Sequence, residues 1–187
     1  MKLLREIRNC VFCKDVLPYP PRPIISLSSN SKIIIVGQAP GLKVQQSGIP
    51  WDDASGERLR SWLGVSKEEF YNTEKFGIVP MGFCYPGKGK SGDLPPRQEC
   101  STLFMDRILT ELKSWELILL IGQYAQNYFL DSTQGVLTET VKDYKKFLPE
   151  FMVLPHPSPR NNIWLKKNPW FESKNLKDLK KIVREIL

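Results

Sequence analysis

Apolar residues fall into two periods along this chain. "SKIIIVG" (31–37) and "ELILLIG" (116–122) are continuous branched-aliphatic runs, the pattern of strands buried on both faces of a parallel sheet. "FGIVPMGF" (76–83) is predicted as a further strand, obliged to end or turn at Pro80 because proline has no N–H for the ladder. "FMVLP" (151–155) is the fourth. Elsewhere the period is helical. Phe104, Ile108 and Leu112 recur every four residues within 98–113. Leu176, Leu179, Val183 and Ile186 form the apolar stripe of a C-terminal helix from Ser173, with lysines opposite. Shorter helices are predicted over about 2–9, at "GERLRSWLG" ending at Gly64, at "QYAQNYFL" and at "LTETVKDYKKFL". Ser66 and Glu69 of "SKEEFY" form the pattern of a capping box. "LPYPPRP" is extended, since proline stops helices and biases its predecessor away from them. "QAPGLKVQQSGIPWDDASG" and "GKGKSGDLPPR" read as loops.

Four strands alternating with helices imply an α/β fold, a three-layer α/β/α arrangement around a central four-stranded parallel sheet. Residues 1–187 are expected to form a single domain, since that length and 41% hydrophobic content suit one core. Sites on such sheets form at the carboxyl ends of the strands. Those ends read "VGQAPG", "PMGFCYPG", "IGQYAQ" and "LPHPSPRN".

Composition narrows the partners. No apolar run approaches the roughly 20 residues that cross a bilayer, and "MKLLREIRNC" has no leader-like stretch. A cytoplasmic location and no membrane partner are expected. The net charge is +7, and Val141 to Leu187 carries eleven basic against five acidic residues. Such an excess favours a polyanion, because neutralising phosphates releases counterions; a solvated helix face is the alternative reading. Four cysteines are present, Cys10 and Cys13 as C-x-x-C and Cys84 and Cys100 more widely spaced. A reducing compartment argues against disulfides among them.

Three segments carry candidate chemistry. In "VGQAPG", Gly37 and Gly41 permit tight turning and Pro40 adds rigidity, so the loop can present backbone N–H groups to an anion or a base edge. It lacks the Gly-Lys-Ser/Thr end of a P-loop. In "SGIPWDD", Trp51 can stack on a flat heterocycle, worth about 1–3 kcal/mol per base, or cover the sheet edge. "HPSPRN" holds His156, the only histidine. Its imidazole can donate to a developing oxyanion or exchange a proton near neutral pH. Ser158 and Arg160 can hold phosphate. Downstream, Asn161, Asn162, Trp164, Lys166, Lys167 and Trp170 interleave amides, aromatics and cations. That suits a DNA backbone contact or a short helix packing its tryptophans on the core.

Together these segments resemble the uracil-DNA glycosylase superfamily, whose two motifs are a G-x-x-P-G loop after the first strand and an H-P-S loop after the last. "GQAPG" is most similar to the "GEAPG" of the iron–sulfur branch, family 4. That branch has an N-terminal C-x-x-C, a cysteine after the second strand and another about sixteen residues later; Cys10, Cys13, Cys84 and Cys100 match that layout. The resemblance implies a [4Fe–4S] cluster on these four thiolates, with zinc the alternative on chemical grounds. It also implies a monomeric base-excision-repair enzyme whose partner is DNA containing a damaged base. The base is flipped into a pocket, where Trp51 stacks on it. Gly37, Gln38, Ala39, Pro40 and Gly41 frame the base and the attacking water. His156 stabilises charge on the leaving base, and Ser158, Arg160 and Asn161 enter the duplex or grip phosphates.

Two positions depart from the family. Gln38 stands where family 4 has glutamate, and it can orient water but cannot take a proton. Asp52 or Asp53 could substitute if their loop folds inward. Pro80 stands where the branch has an asparagine that reads uracil's edge, so another deaminated base such as hypoxanthine becomes an alternative substrate. A non-catalytic DNA- or nucleotide-binding protein is the second reading these departures leave. A third, covalent capture of the sugar by His156, ranks last because the inserted loop of that branch is absent.

Overall fold

The computed structural model describes residues 1–130 and 136–187. Its first helix, α1 (Lys2–Arg8), precedes the two N-terminal cysteines. Strand β1 (Ile33–Val36) follows, then helices α2 (Leu42–Ser47), α3 (Ala54–Leu63) and α4 (Lys67–Tyr71). Strand β2 (Phe76–Ile78) leads into a small antiparallel hairpin of β3 (Lys88–Gly89) and β4 (Gly92–Asp93). Helix α5 (Gln98–Glu111), strand β5 (Leu117–Ile121) and helices α6 (Gln123–Phe129) and α7 (Leu137–Lys142) come next. Strand β6 (Phe151–Leu154), helix α8 (Asn162–Lys167) and helix α9 (Leu176–Ile186) complete the order.

The four long strands form one parallel sheet in the order β2–β1–β5–β6. Ile33 stands opposite both Phe76 and Leu117, and Ile121 opposite Leu154. Almost every strand residue is buried. Each fully buried Ile or Leu contributes about 1.5–3 kcal/mol, which is why the continuous apolar runs became strands covered on both faces. Helix α3 packs against α9 and α1 against α5. The chain leaves β1 toward β2 on one side and reaches β5 on the other. The crevice where this direction reverses lies at the carboxyl ends of β1 and β5, the usual ligand position in open α/β sheets.

The predicted α/β class and four-stranded parallel sheet are observed. Ser66 and Glu69 do form the capping box, with both backbone-to-side-chain bonds at 3.1 Å. Three segments differ from the sequence expectation. The loop after β1 contains α2, bracketed by extended Gly41 and left-handed Gly48. Its last carbonyls accept from the Arg22 guanidinium, Gln46 at 2.6 Å and Gln45 at 2.8 Å, a cap supplied from a distant part of the chain. "GKGKSGDLPPR" contains the β3–β4 hairpin. "LTETVKDYKKFL" is α7 followed by a separate tight turn, Tyr144–Phe147. Trp164 packs edge-on against Trp170 and Phe171 and donates its indole N–H to Thr138 at 2.8 Å. Of the two uses left open for those tryptophans, the structure has core packing. No helix among the described residues is long and apolar enough to cross a membrane.

Candidate active site

The carboxyl edge of the sheet holds a cavity of about 440 Å³ whose walls include Gln38, Trp51, Asp53, Pro80, Asp93 and His156. Pro80 ends the β2 ladder as expected. The chain beyond it still binds the first motif: Met81 N–H donates to the Gly37 carbonyl at 2.9 Å and Gly82 N–H to that of Gln38 at 2.8 Å. These bonds fix the Gly37–Gly41 loop from behind, and Gly37, Gln38, Ala39, Pro40 and Gly41 all line the cavity.

His156 arrives from β6. The Leu154 carbonyl accepts from Gly122 N–H at 2.9 Å and from Gln126 Nε2 at 3.0 Å, which ties the end of β6 to the β5–α6 turn. Gly122 sits at φ 81°, and a Cβ there would stand 3.1 Å from Gln38 Nε2 and 3.6 Å from His156 Cβ. Glycine at this turn therefore lets the two motifs approach. Burial depresses the imidazole's proton affinity and the negative charge of Asp53 partly restores it. His156 thus stays below its ordinary pKa and neutral at pH 7.

Trp51 stacks on His156, with ring centroids 5.6 Å apart and planes 29° apart. The indole also fills the space above Gly37, where a Cβ would lie 2.9 Å from Cζ2. This packing has a backbone cost. Trp51 is at φ 57°, a region costing an L-residue about 1–2 kcal/mol. Arg60 holds the turn by donating to the Trp51 carbonyl at 3.3 Å. A Cβ at Gly56 would overlap that carbonyl, so only glycine fits beneath it.

The predicted phosphate-gripping residues lie at the rim, where each also braces the histidine loop. Asn161 Nδ2 donates to the His156 carbonyl at 2.7 Å. The Ser158 hydroxyl accepts from Arg160 N–H at 3.2 Å, and its carbonyl accepts from Arg58 at 3.1 Å. Arg160 reaches the hairpin, donating to the Ser91 carbonyl at 3.5 Å. Two further carboxylates line the cavity: Asp93, which the sequence does not single out, and Asp53, whose loop folds inward as a substitute for a motif carboxylate requires, whereas Asp52 is not part of the wall. Asp93, on β4, accepts from the Tyr85 hydroxyl at 3.4 Å and faces Gly41. Asp53 caps α3, accepting from Gly56 N–H at 2.9 Å. Paired glycines around Lys90 and Ser91 were the available hairpin cue. Nothing local says that such a hairpin closes over the first motif.

The four cysteines converge from the end of α1, the segment after β2 and the first turn of α5. Each of Cys13, Cys84 and Cys100 is raised by burial, with Cys10 contributing to all three; Cys84 is pushed up to about 11 and Cys100 to about 12. Cys100 Sγ accepts from Phe83 N–H at 3.5 Å. Arg97, paired with Glu99, leaves its buried Nε without a partner among the described residues. Within those residues no three His, Cys, Asp or Glu side chains stand at metal-holding distance. The four thiols do influence one another electrostatically, and cysteine thiolates are ligands that both iron–sulfur clusters and zinc accept.

A family model described as the uracil DNA glycosylase superfamily matches residues 25–180. A solution NMR structure of a candidate uracil DNA glycosylase from Methanosarcina acetivorans is similar over 83% of this chain and 93% of that one, with 17% identity and a TM-score of 0.45.

Proposed function

From the premise that the chain belongs to the uracil DNA glycosylase superfamily, we propose that it is a monomeric, single-domain DNA glycosylase that flips a deaminated base into the cavity and hydrolyses its N-glycosidic bond. The observation carrying this reading is the stacking of Trp51 on a half-buried, neutral His156 inside the cavity that Gln38 also lines. Flipping costs a few kcal/mol of unstacking and unpairing, least for a mismatched base. Trp51 supplies a flat wall for the extruded ring. As the bond to C1′ breaks, its electron pair moves onto the base, and a neutral imidazole N–H meets the resulting negative oxygen with a hydrogen bond. Such preorganised donors are worth about 2.7–4 kcal/mol each. Gln38 orients the attacking water through its amide. Pro80 offers the base edge no hydrogen-bonding side chain, so substrates beyond uracil, hypoxanthine first, belong in the assay.

Cys10, Cys13, Cys84 and Cys100 are the residues that would hold a [4Fe–4S] cluster or zinc, as in the iron–sulfur branch. The metal would supply the cation that lets thiols raised by burial ionise. Held there, it would serve a structural role, joining the segment after α1 to the segment after β2 and to α5.

Base release tests the reading. Oligonucleotides carrying uracil, hypoxanthine or xanthine, single- and double-stranded, are incubated with the protein, and abasic sites are then opened with alkali. Cleavage at one lesion, reduced ~10²-fold or more in His156→Ala with DNA binding kept, is the expected result. Binding without release from any lesion would replace it with the non-catalytic alternative, which the absence of a carboxylate at Gln38 favours.

A further inference from the structure

The first motif of this chain ends in an amide, so a hydrolytic reaction needs its proton acceptor elsewhere. Two carboxylates line the cavity outside that motif, Asp53 and Asp93. Asp93 is bound by the Tyr85 hydroxyl and lies on the exposed hairpin. Asp52, the other aspartate of the loop, is absent from the cavity wall. Asp53 differs from both. It stands two residues after the tryptophan that stacks on His156, and its carboxylate acts electrostatically on that imidazole. Its orientation is fixed, because Oδ1 accepts from Gly56 N–H at 2.9 Å. With that oxygen engaged in the cap, Asp53 still contributes to the cavity wall.

The turn that brings Asp53 inward is overdetermined. Trp51 occupies the left-handed region, Arg60 holds its carbonyl, and Gly56 alone fits beneath it. A capping role by itself does not call for a charge here, since asparagine or serine caps a helix as well as aspartate. A carboxylate in a cavity that must admit a polyanion is also electrostatically unfavourable for binding. Its cost is offset only if it acts on the reaction.

Resting on the glycosylase reading, we propose that Asp53 is the catalytic base of this enzyme, accepting a proton from the water that Gln38 orients. As Oδ2 takes that proton, the water oxygen forms its bond to C1′. The C1′–N bond breaks and its electron pair leaves with the base, whose carbonyl oxygen is held by His156. The proton then passes from Asp53 through solvent to the released base. Water and nucleotide yield an abasic sugar hydroxyl and a neutral base, with nothing oxidised or reduced.

Single-turnover base release separates this from a structural role. Asp53→Asn keeps the cap and removes the proton acceptor. On whichever lesion the wild type cleaves, the expected loss is ~10²-fold or more, with unchanged melting temperature and undiminished lesion-DNA binding. Asp53→Ser, a second good cap, is expected to lose the same. A wild-type rate in Asp53→Asn would overturn the proposal and leave the glycosylase reading intact. The loss should also persist in a His156→Ala background; its disappearance there would assign Asp53 to the histidine and overturn the proposal. A wild type that releases no base would overturn reading and proposal together, an outcome visible before any variant is made.

Discussion

His156 is held from its own loop by the Asn161 amide and from the side by the Trp51 ring. Burial is the largest influence on its protonation, and it favours the neutral ring. The consequence for stability has a definite sign. In the unfolded chain the imidazole titrates near its ordinary value of about 6.5; in the folded protein it titrates lower. Between those two values the unfolded state binds the extra proton, so stability falls as pH drops from about 6.5 through the folded pKa, and this group adds no pH dependence above that range. Thermal melts of wild type and His156→Gln across pH 5–8 check this. The melting-temperature difference between them should shift against the wild type on the acid side and stay constant above pH 7. A difference flat through the acid range would mean the histidine is not held neutral by its surroundings.

At the scale of elements, the cysteines belong to the segment after α1, the segment after β2 and the first turn of α5. Cys84 is buried in the segment after β2 and Cys100 stands in the first turn of α5. If these thiolates hold a metal, part of the folding free energy is metal binding, about 4 kcal/mol when the metal stands at a thousandfold excess over its Kd. Cys100→Ser should therefore bind substoichiometric metal and melt several degrees lower than wild type. Elemental analysis of the purified protein together with melting curves reads both quantities. Equal metal content and equal melting temperature would remove the cysteines from any metal site.

On the scale of the whole molecule, the excess charge of the C-terminal quarter is spread differently from its sequence neighbourhood. Arg160 lines the cavity, whereas the lysines of α9 project from the outer face of a helix whose inner stripe packs on α3. Lys88 and Lys90, by contrast, are exposed on the hairpin beside the cavity mouth. Each lysine that holds a phosphate contributes close to one unit to the slope of log affinity against log salt. Replacing Lys88 and Lys90 with alanine should lower that slope by roughly two, while Lys177→Ala with Lys181→Ala should leave it unchanged. A reversed outcome would place the DNA path along α9 instead of over the cavity.

Much of this arrangement was legible in the chain itself, for local reasons. Strands buried on both faces need unbroken apolar runs, so "KIIIV" and "LILLI" identified themselves, and the Ser66–Glu69 capping box is made within four residues. Because sites gather at strand carboxyl ends, the glycine motif and His156 could be singled out before any coordinates. The order β2–β1–β5–β6 could not be read, since it rests on which apolar face meets which. That order brings Gly122, Gln38 and His156 into one crevice. Helix α2 was missed because its cap, Arg22, lies about two dozen residues away. The inward turn of Asp53 was only conditional in the sequence. It depends on Trp51 finding His156, a contact across more than a hundred residues that packing alone decides.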